Sequence, residues 1–242
     1  MKEIDAQGLH YRILNQKLHE IIKKGEKRIL VKNVCGQRYI GDGIGEKVEI
    51  IIEGVPGNDL AAFMDGPCII VRGNAQDGVA NTMNKGEVII HGDAGDIVGY
   101  SMRGGKVFIR GNVGYRVGIH MKAYKEFFPV VIVGEGAMDF LGEYMAGGLL
   151  VVLGLDCDEV VGDFVGTGMH GGTIFIRGEV DPACLGKEVK TGEITTHDMD
   201  LLKIHIGDFC ARFKLDLDEI LKKPFTKIYP YSHRPYGTIY AY

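Results

Sequence analysis

Short apolar runs, each closed by a glycine, recur along most of the chain. They read Ile29-Leu30-Val31, Val48-Glu49-Ile50-Ile51-Ile52, Cys68-Ile69-Ile70-Val71 and Val88-Ile89-Ile90. They continue with Val107-Phe108-Ile109, Val130-Val131-Ile132-Val133, Leu149-Leu150-Val151-Val152-Leu153 and Ile174-Phe175-Ile176. Such β-branched runs bounded by glycine predict strands of about four or five residues.

The closing glycine keeps a period. Gly54, Gly73, Gly92 and Gly111 lie 19 residues apart, and Gly134, Gly154 and Gly178 follow at 23, 20 and 24. A second ladder runs between the strands. Met64, Met83, Met102, Met121, Met145 and Met169 are separated by 19, 19, 19, 24 and 24 residues. Three residues before each methionine stands a small residue: Ala61, Ala80, Gly99, Gly118, Gly142 or Gly166. Independent ladders in one register identify one structural unit stacked many times.

The unit predicts an all-β fold, a single-stranded, right-handed parallel β-helix of about eight turns with 19–24 residues in each. Each strand pairs with its equivalent one turn later, so the column rises about 4.8 Å per turn. The methionines are expected inside as flexible filler. The Ala/Gly line is expected at a corner where backbones approach too closely for a larger side chain. The long steps place insertions at Lys122–Pro129 and Leu155–Gly166. Insertions in a solenoid bulge from one face, often the face that meets a partner.

Both ends depart from the repeat. Leu14, Leu18, Ile21 and Ile22 share one helical face, and Gly25 follows as a stop. Residues 1–27 therefore form an N-terminal helical cap and 28–180 the β-helix. Residues 181–242 form a C-terminal cap: a helix begun at Thr196 with Leu202, Ile206, Phe209 and Phe213 on one face. Asp216 and Glu219 open a short helix running to Lys223, stopped by Pro224. An extended, tyrosine-rich tail follows. Eight of the 21 Phe and Tyr residues fall in the last 34, so this segment is expected to cover the column or a partner. Such caps shield the unpaired edges of an open stack.

Composition narrows the chemistry. The net charge of −4 contains no block of like sign, which argues against nucleic-acid and membrane partners. The N-terminal stretch lacks the apolar core of a signal peptide, and no run approaches a membrane span, so a cytoplasmic location is expected. Cys35, Cys68, Cys157, Cys184 and Cys210 are odd in number and widely spaced, with no CxxC, and read as buried reduced thiols.

Motifs that look chemical have plainer readings. Gly41-Asp42-Gly43-Ile44-Gly45 is followed by Glu46 and then a strand. It lacks the sixth-position glycine and the helix N-terminus a dinucleotide site needs. The position before the ladder glycine holds Glu53, Arg72, His91, Arg110 and Arg177, a mixed-sign column that reads as a solvated face. His91, His120 and His170 share no offset to carboxylates. Asp156, Asp158 and Glu159 fall in an insertion and read as surface acids. No catalytic, cofactor-binding or metal-binding residue is assigned.

The rungs Gly92–Gly105 (GDAGDIVGYSMRGG) and Val160–Gly172 (VVGDFVGTGMHGG) resemble the GXGXG domain. That domain is the C-terminal β-helix of the large subunit of glutamate synthase, and is also similar to the β-helical subunit of formylmethanofuran dehydrogenase. Val31-Lys32-Asn33-Val34-Cys35-Gly36 resembles its opening strand, although the usual Asp-Arg after Asn is absent. The stretch from Met199 through Ile220-Leu221 to Pro230 resembles its terminal helix and tail. The resemblance implies a noncatalytic scaffold subunit of a split glutamate synthase. Its partners would be the amidotransferase and the FMN and iron–sulfur synthase components, which would carry those cofactors. Self-association is compatible with this reading. Lys2 at the second position leaves no N-terminal cysteine nucleophile. The alternative is a structural subunit of a formylmethanofuran-dehydrogenase-like redox complex. A free-standing polysaccharide lyase is a poorer fit, since that class is usually secreted and uses an acidic, calcium-binding groove.

Overall fold

The apolar runs become strands stacked in strict register. In the computed structural model, which describes residues 1–231, the parallel strands are β2 (Arg28–Cys35), β3 (Glu49–Val55), β4 (Asp65–Val71) and β5 (Lys85–Ile90). They continue as β6 (Gly105–Ile109), β7 (Pro129–Val133), β8 (Ala146–Val152) and β9 (Gly171–Arg177). Each pairs in parallel with the next, so Ile29, Ile50, Ile69, Val88, Val107, Val131, Leu150 and Ile174 form one inward column. The fold is a parallel β-solenoid. The number of turns needs correction from about eight: eight stacked strands, β2 to β9, enclose only seven strand-to-strand turns.

The corner between strands is built from the methionine ladder. Every ladder methionine is buried. Its N–H donates to the carbonyl of the small residue three before it, as in Met83 to Ala80 at 3.1 Å and Met102 to Gly99 at 3.1 Å. The small residues have φ from +60 at Ala80 to +74 at Gly118, the left-handed region. Their own N–H groups donate to the neighbouring rung, for example Gly99 to Val79 O at 2.8 Å. Two residues on, the N–H donates the opposite way, as Ser101 does to Ile119 O at 2.9 Å. The corner is thus a second hydrogen-bonded ladder, and few of its backbone groups are left unsatisfied.

The size limit on this line has a different origin from the backbone approach expected. A Cβ on Gly118 would lie 3.3 Å from Leu150 Cδ2, and one on Gly142 would lie 2.5 Å from Ile174 Cδ1. Strand side chains across the interior fill the space, and positive φ adds to the restriction. Backbone crowding instead limits the strand-closing Gly54 and Gly134: a Cβ on Gly54 would sit 2.1 Å from Val34 O, and one on Gly134 would sit 2.2 Å from Arg110 O.

The N-terminal segment is not wholly helical. β1 (Lys2–Asp5) pairs in parallel with β2 before α1 (Tyr11–Lys23) begins. Leu14, Leu18 and Ile22 of α1 join the interior core with Ile29, Ile40 and Ile44, closing that end of the stack. Gly25, at φ +93, donates to Ile22 O and ends the helix. Buried Gln37 ties the segment down by donating to Ala6 O at 2.9 Å and Leu9 O at 3.2 Å.

The C-terminal elements act in two places. After the 3₁₀ turn Pro182–Cys184 come β10 (Val189–Gly192), α2 (Thr196–Phe213), α3 (Leu217–Leu221) and β11 (Phe225–Pro230). β11 pairs antiparallel with β9 and covers its open edge, with β10 outside it. α2 packs along the flank of the sheet. Leu202, Ile206 and Phe209 meet the outward residues Ile89, Phe108, Ile132, Val151 and Phe175 in a second core. This explains why the runs are apolar on both faces. The N-cap of α2 is Thr195, not Thr196, and forms a capping box with Asp198. α3 is shorter than expected, ending at Leu221. Of the tyrosine-rich tail, residues 232–242 lie outside the described residues.

Candidate docking surface

The two insertions leave the solenoid at opposite ends of the strands. Lys122–Pro129 lies between the corner methionine Met121 and the start of β7, whereas Leu155–Gly166 follows the end of β8. Because the strands are parallel, these points lie on opposite edges of the column. The expectation that insertions share one face is corrected accordingly.

The first insertion is a tight hairpin. Tyr124 and Phe127 exchange backbone hydrogen bonds at 3.0 and 2.9 Å, with Lys125 at φ +54. Tyr124 and Phe128 are exposed. Phe128 stacks against His205 of α2, with ring centroids 6.3 Å apart. Between hairpin and helix lies a cavity of about 310 Å³, lined in part by Lys85, Lys106, Phe127 and His205. Burial and then the nearby Lys106 hold His205 below the ordinary imidazole pKa, so its ring is neutral at pH 7.

The second insertion folds over a cavity of about 320 Å³ that includes Asn112, Met138, Asp139, Cys157 and Glu159. At its root Arg110 bonds Glu135 at 2.5 Å and Asp156 at 3.2 Å. Burial opposes the Arg110 charge, but these two carboxylates more than compensate and raise its pKa. Asp156 is thus engaged by Arg110, while Glu159 faces the cavity. Cys157 is pushed above the ordinary thiol range by burial and by Glu135, which disfavours the thiolate a nucleophile needs.

The remaining candidates do not converge. Arg72 bonds Glu53 at 2.8 Å. His91 lies edge-on to Phe213, and Arg177 donates to Ile220 O at 2.8 Å, so part of the mixed-charge column is covered by the C-terminal helices rather than solvated. His120 stacks on Tyr144 at 5.2 Å, and His170 Nδ1 lies 3.2 Å from Gly168 O. Among the described residues no three His, Cys, Asp or Glu side chains gather as a metal site. The Gly41–Gly45 string is the first corner, with Gly41 at φ +82 and Gly43 at φ +61. All five cysteines are free, but only Cys210 is buried, which corrects the expectation for the other four.

Two features escaped sequence reasoning. One is a ladder of side-chain oxygens along the stack: Asn74 Oδ1 accepts from Asp93 N, Asp93 Oδ1 from Asn112 N, and Asn112 Oδ1 from Gly136 N. The first two steps repeat at 19 residues and were visible in the spacing. The other is an aromatic stripe outside the corner. Arg116 lies over Phe140 at 4.7 Å, and Phe140 stacks on Phe164 at 4.9 Å. Tyr100, Tyr115, Met138, Tyr144 and Phe164 are exposed. Phe63, Phe140, Tyr144 and Phe164 stand one or five residues before a ladder methionine, and there the sequence carries part of this signal.

A family model described as the GXGXG motif matches residues 16–231, nearly the whole chain. The chain belongs to the GXGXG motif family. The chain is also similar to "Uncharacterized protein MJ1350" of Methanocaldococcus jannaschii, at 51% identity over 249 residues, covering 98% of this chain and 95% of the relative. Membership of the GXGXG family fits a role related to glutamate synthase. No helix among the described residues is long and apolar enough to cross a membrane.

Proposed function

We propose that this chain is a noncatalytic scaffold subunit of a split glutamate synthase. The complex would release ammonia from glutamine, add it to 2-oxoglutarate and reduce the imine. The amidotransferase and the FMN and iron–sulfur synthase polypeptides would carry out that chemistry and hold those cofactors, in the cytoplasm. This chain would fix their relative position.

The observation that carries the reading is the match to the GXGXG family along nearly the whole solenoid. Geometry supports it. Rungs tied by strand and corner ladders form a rigid body, since each turn is fixed by its neighbours. The insertions open toward opposite ends of the strands, which suits a part that joins two components. Exposed aromatic surface on the corner supplies further contact area.

Co-purification of the tagged chain from native extract tests this. Recovery of both amidotransferase and synthase polypeptides is expected. Recovery of molybdopterin-binding subunits instead, or of neither component, overturns the proposal.

A further inference from the structure

The hairpin insertion sits in a local excess of positive charge, although the whole chain carries −4. Lys85 and Lys106 line its cavity, Lys122 and Lys125 belong to the hairpin, and Arg103 precedes Gly104, whose Cβ would lie 3.0 Å from Phe127 Cβ. Three carboxylates stand against these five cations. Asp65 lies 3.8 Å from Lys85, Asp208 lies 2.5 Å from Lys106, and Glu126 lines the cavity, leaving an excess of two. The charge surrounds apolar surface. Phe127 lies under the Lys85 ammonium at 4.8 Å, and Phe128 is exposed beside it.

We propose that this cavity receives an acidic segment of a partner polypeptide. One apolar side chain of the segment would pack on Phe127 and Phe128. Its carboxylates would face Lys85, Lys122 and Lys125. The proposal rests on the scaffold reading and names the surface by which one component docks. A polypeptide fits better than a nucleic acid, because an excess of two charges on an anionic chain is a small electrostatic footprint. The pairing of apolar anchor and charged rim is the usual anatomy of a protein interface.

The test measures binding of the full chain to purified glutamate synthase amidotransferase and synthase polypeptides by calorimetry. Variants are the double substitution Lys122→Glu with Lys125→Glu, and Phe128→Ala. Lys17→Glu with Lys24→Glu, at the β1 end, serves as control. Circular dichroism and melting confirm folding of each. For one of the two polypeptides, both hairpin variants should weaken affinity at least tenfold and the control less than twofold. That affinity should also fall with added salt. Hairpin variants that bind like wild type overturn this site while leaving the scaffold reading intact. Absence of binding by wild type overturns both. A single-stranded oligonucleotide that binds wild type as tightly as the polypeptides, and loses affinity in the hairpin variants, replaces the acidic segment with a nucleic acid and overturns the proposal.

Discussion

Alanine at Gly134 and alanine at Gly99 should have very different costs, although both glycines belong to ladders. At Gly134 the new Cβ would sit 2.2 Å from Arg110 O, a backbone atom of the adjacent rung. Relief requires a shift of roughly 1 Å to reach tolerable contact. The glycine cannot move freely away from it, because Gly134 N–H donates to Ile109 O at 2.8 Å and Leu155 N–H donates to Gly134 O at 2.9 Å. Losing those two bonds costs about 1–3 kcal/mol, and overpacking adds about 1–3 kcal/mol. A loss near 3 kcal/mol lowers the melting temperature of a chain this long by about 6–12 °C. At Gly99 the Cβ would lie 3.3 Å from Val131 Cγ2, the end of a side chain. Its φ of +71 costs a non-glycine residue about 1 kcal/mol, but Ala61 and Ala80 already hold φ +62 and +60 at this position. Restricting the unfolded chain returns about 0.4–1 kcal/mol. The net change is under about 1 kcal/mol, or less than ~4 °C. Scanning calorimetry at one scan rate decides. Equal shifts, or a larger loss at Gly99, would refute the claim that rung contact, not φ, governs Gly134.

Other outcomes follow from the same geometry. Phe209→Ala removes a fully buried ring set edge-on to Phe108 at 5.9 Å. It should destabilise by about 3–5 kcal/mol and increase dye binding as α2 loosens from the sheet. At Asp198, burial opposes ionisation, but Lys227 at 2.6 Å and the Thr195 N–H and hydroxyl overcome it, placing the carboxyl below its ordinary 3.8. Its contribution is therefore present above pH 3.8 and is lost as pH falls through the lower folded value. Asp198→Asn should lower the melting temperature at pH 7, and the gap should narrow below pH 3.8. Burial and the neighbouring Glu87 push the Cys68 thiol up to about 11. Alkylation at pH 8, followed by mass spectrometry, should label exposed Cys35 well before Cys68, and Glu87→Gln should narrow the difference.

What the sequence discloses is the part of the fold that repeats. Ile29 to Ile176 announce strands because β-branched runs and closing glycines recur. The methionine and small-residue ladders mark the corner because each turn must solve the same packing problem at the same offset. Features formed once leave no such trace. β1 is only Lys2-Glu3-Ile4-Asp5, too short and charged to read as a strand, and it exists because β2 offers an edge. The antiparallel placement of β11 depends on tertiary pairing with β9. Phe108 and Phe175 point away from the solenoid interior, a fact explained only when α2 is seen against them. The candidate docking surface was legible as two departures from period. Their opposite directions were not, since these depend on where the strand ends lie in space.

The most direct measurement of the central claim is glutamine-dependent glutamate synthesis reconstituted from purified amidotransferase and synthase polypeptides, with and without this chain, while free ammonia is monitored. Addition of the chain should raise glutamate formation and suppress ammonia release, with all three polypeptides sedimenting together. Unchanged rates and unchanged ammonia release, with the chain sedimenting alone, would contradict the account.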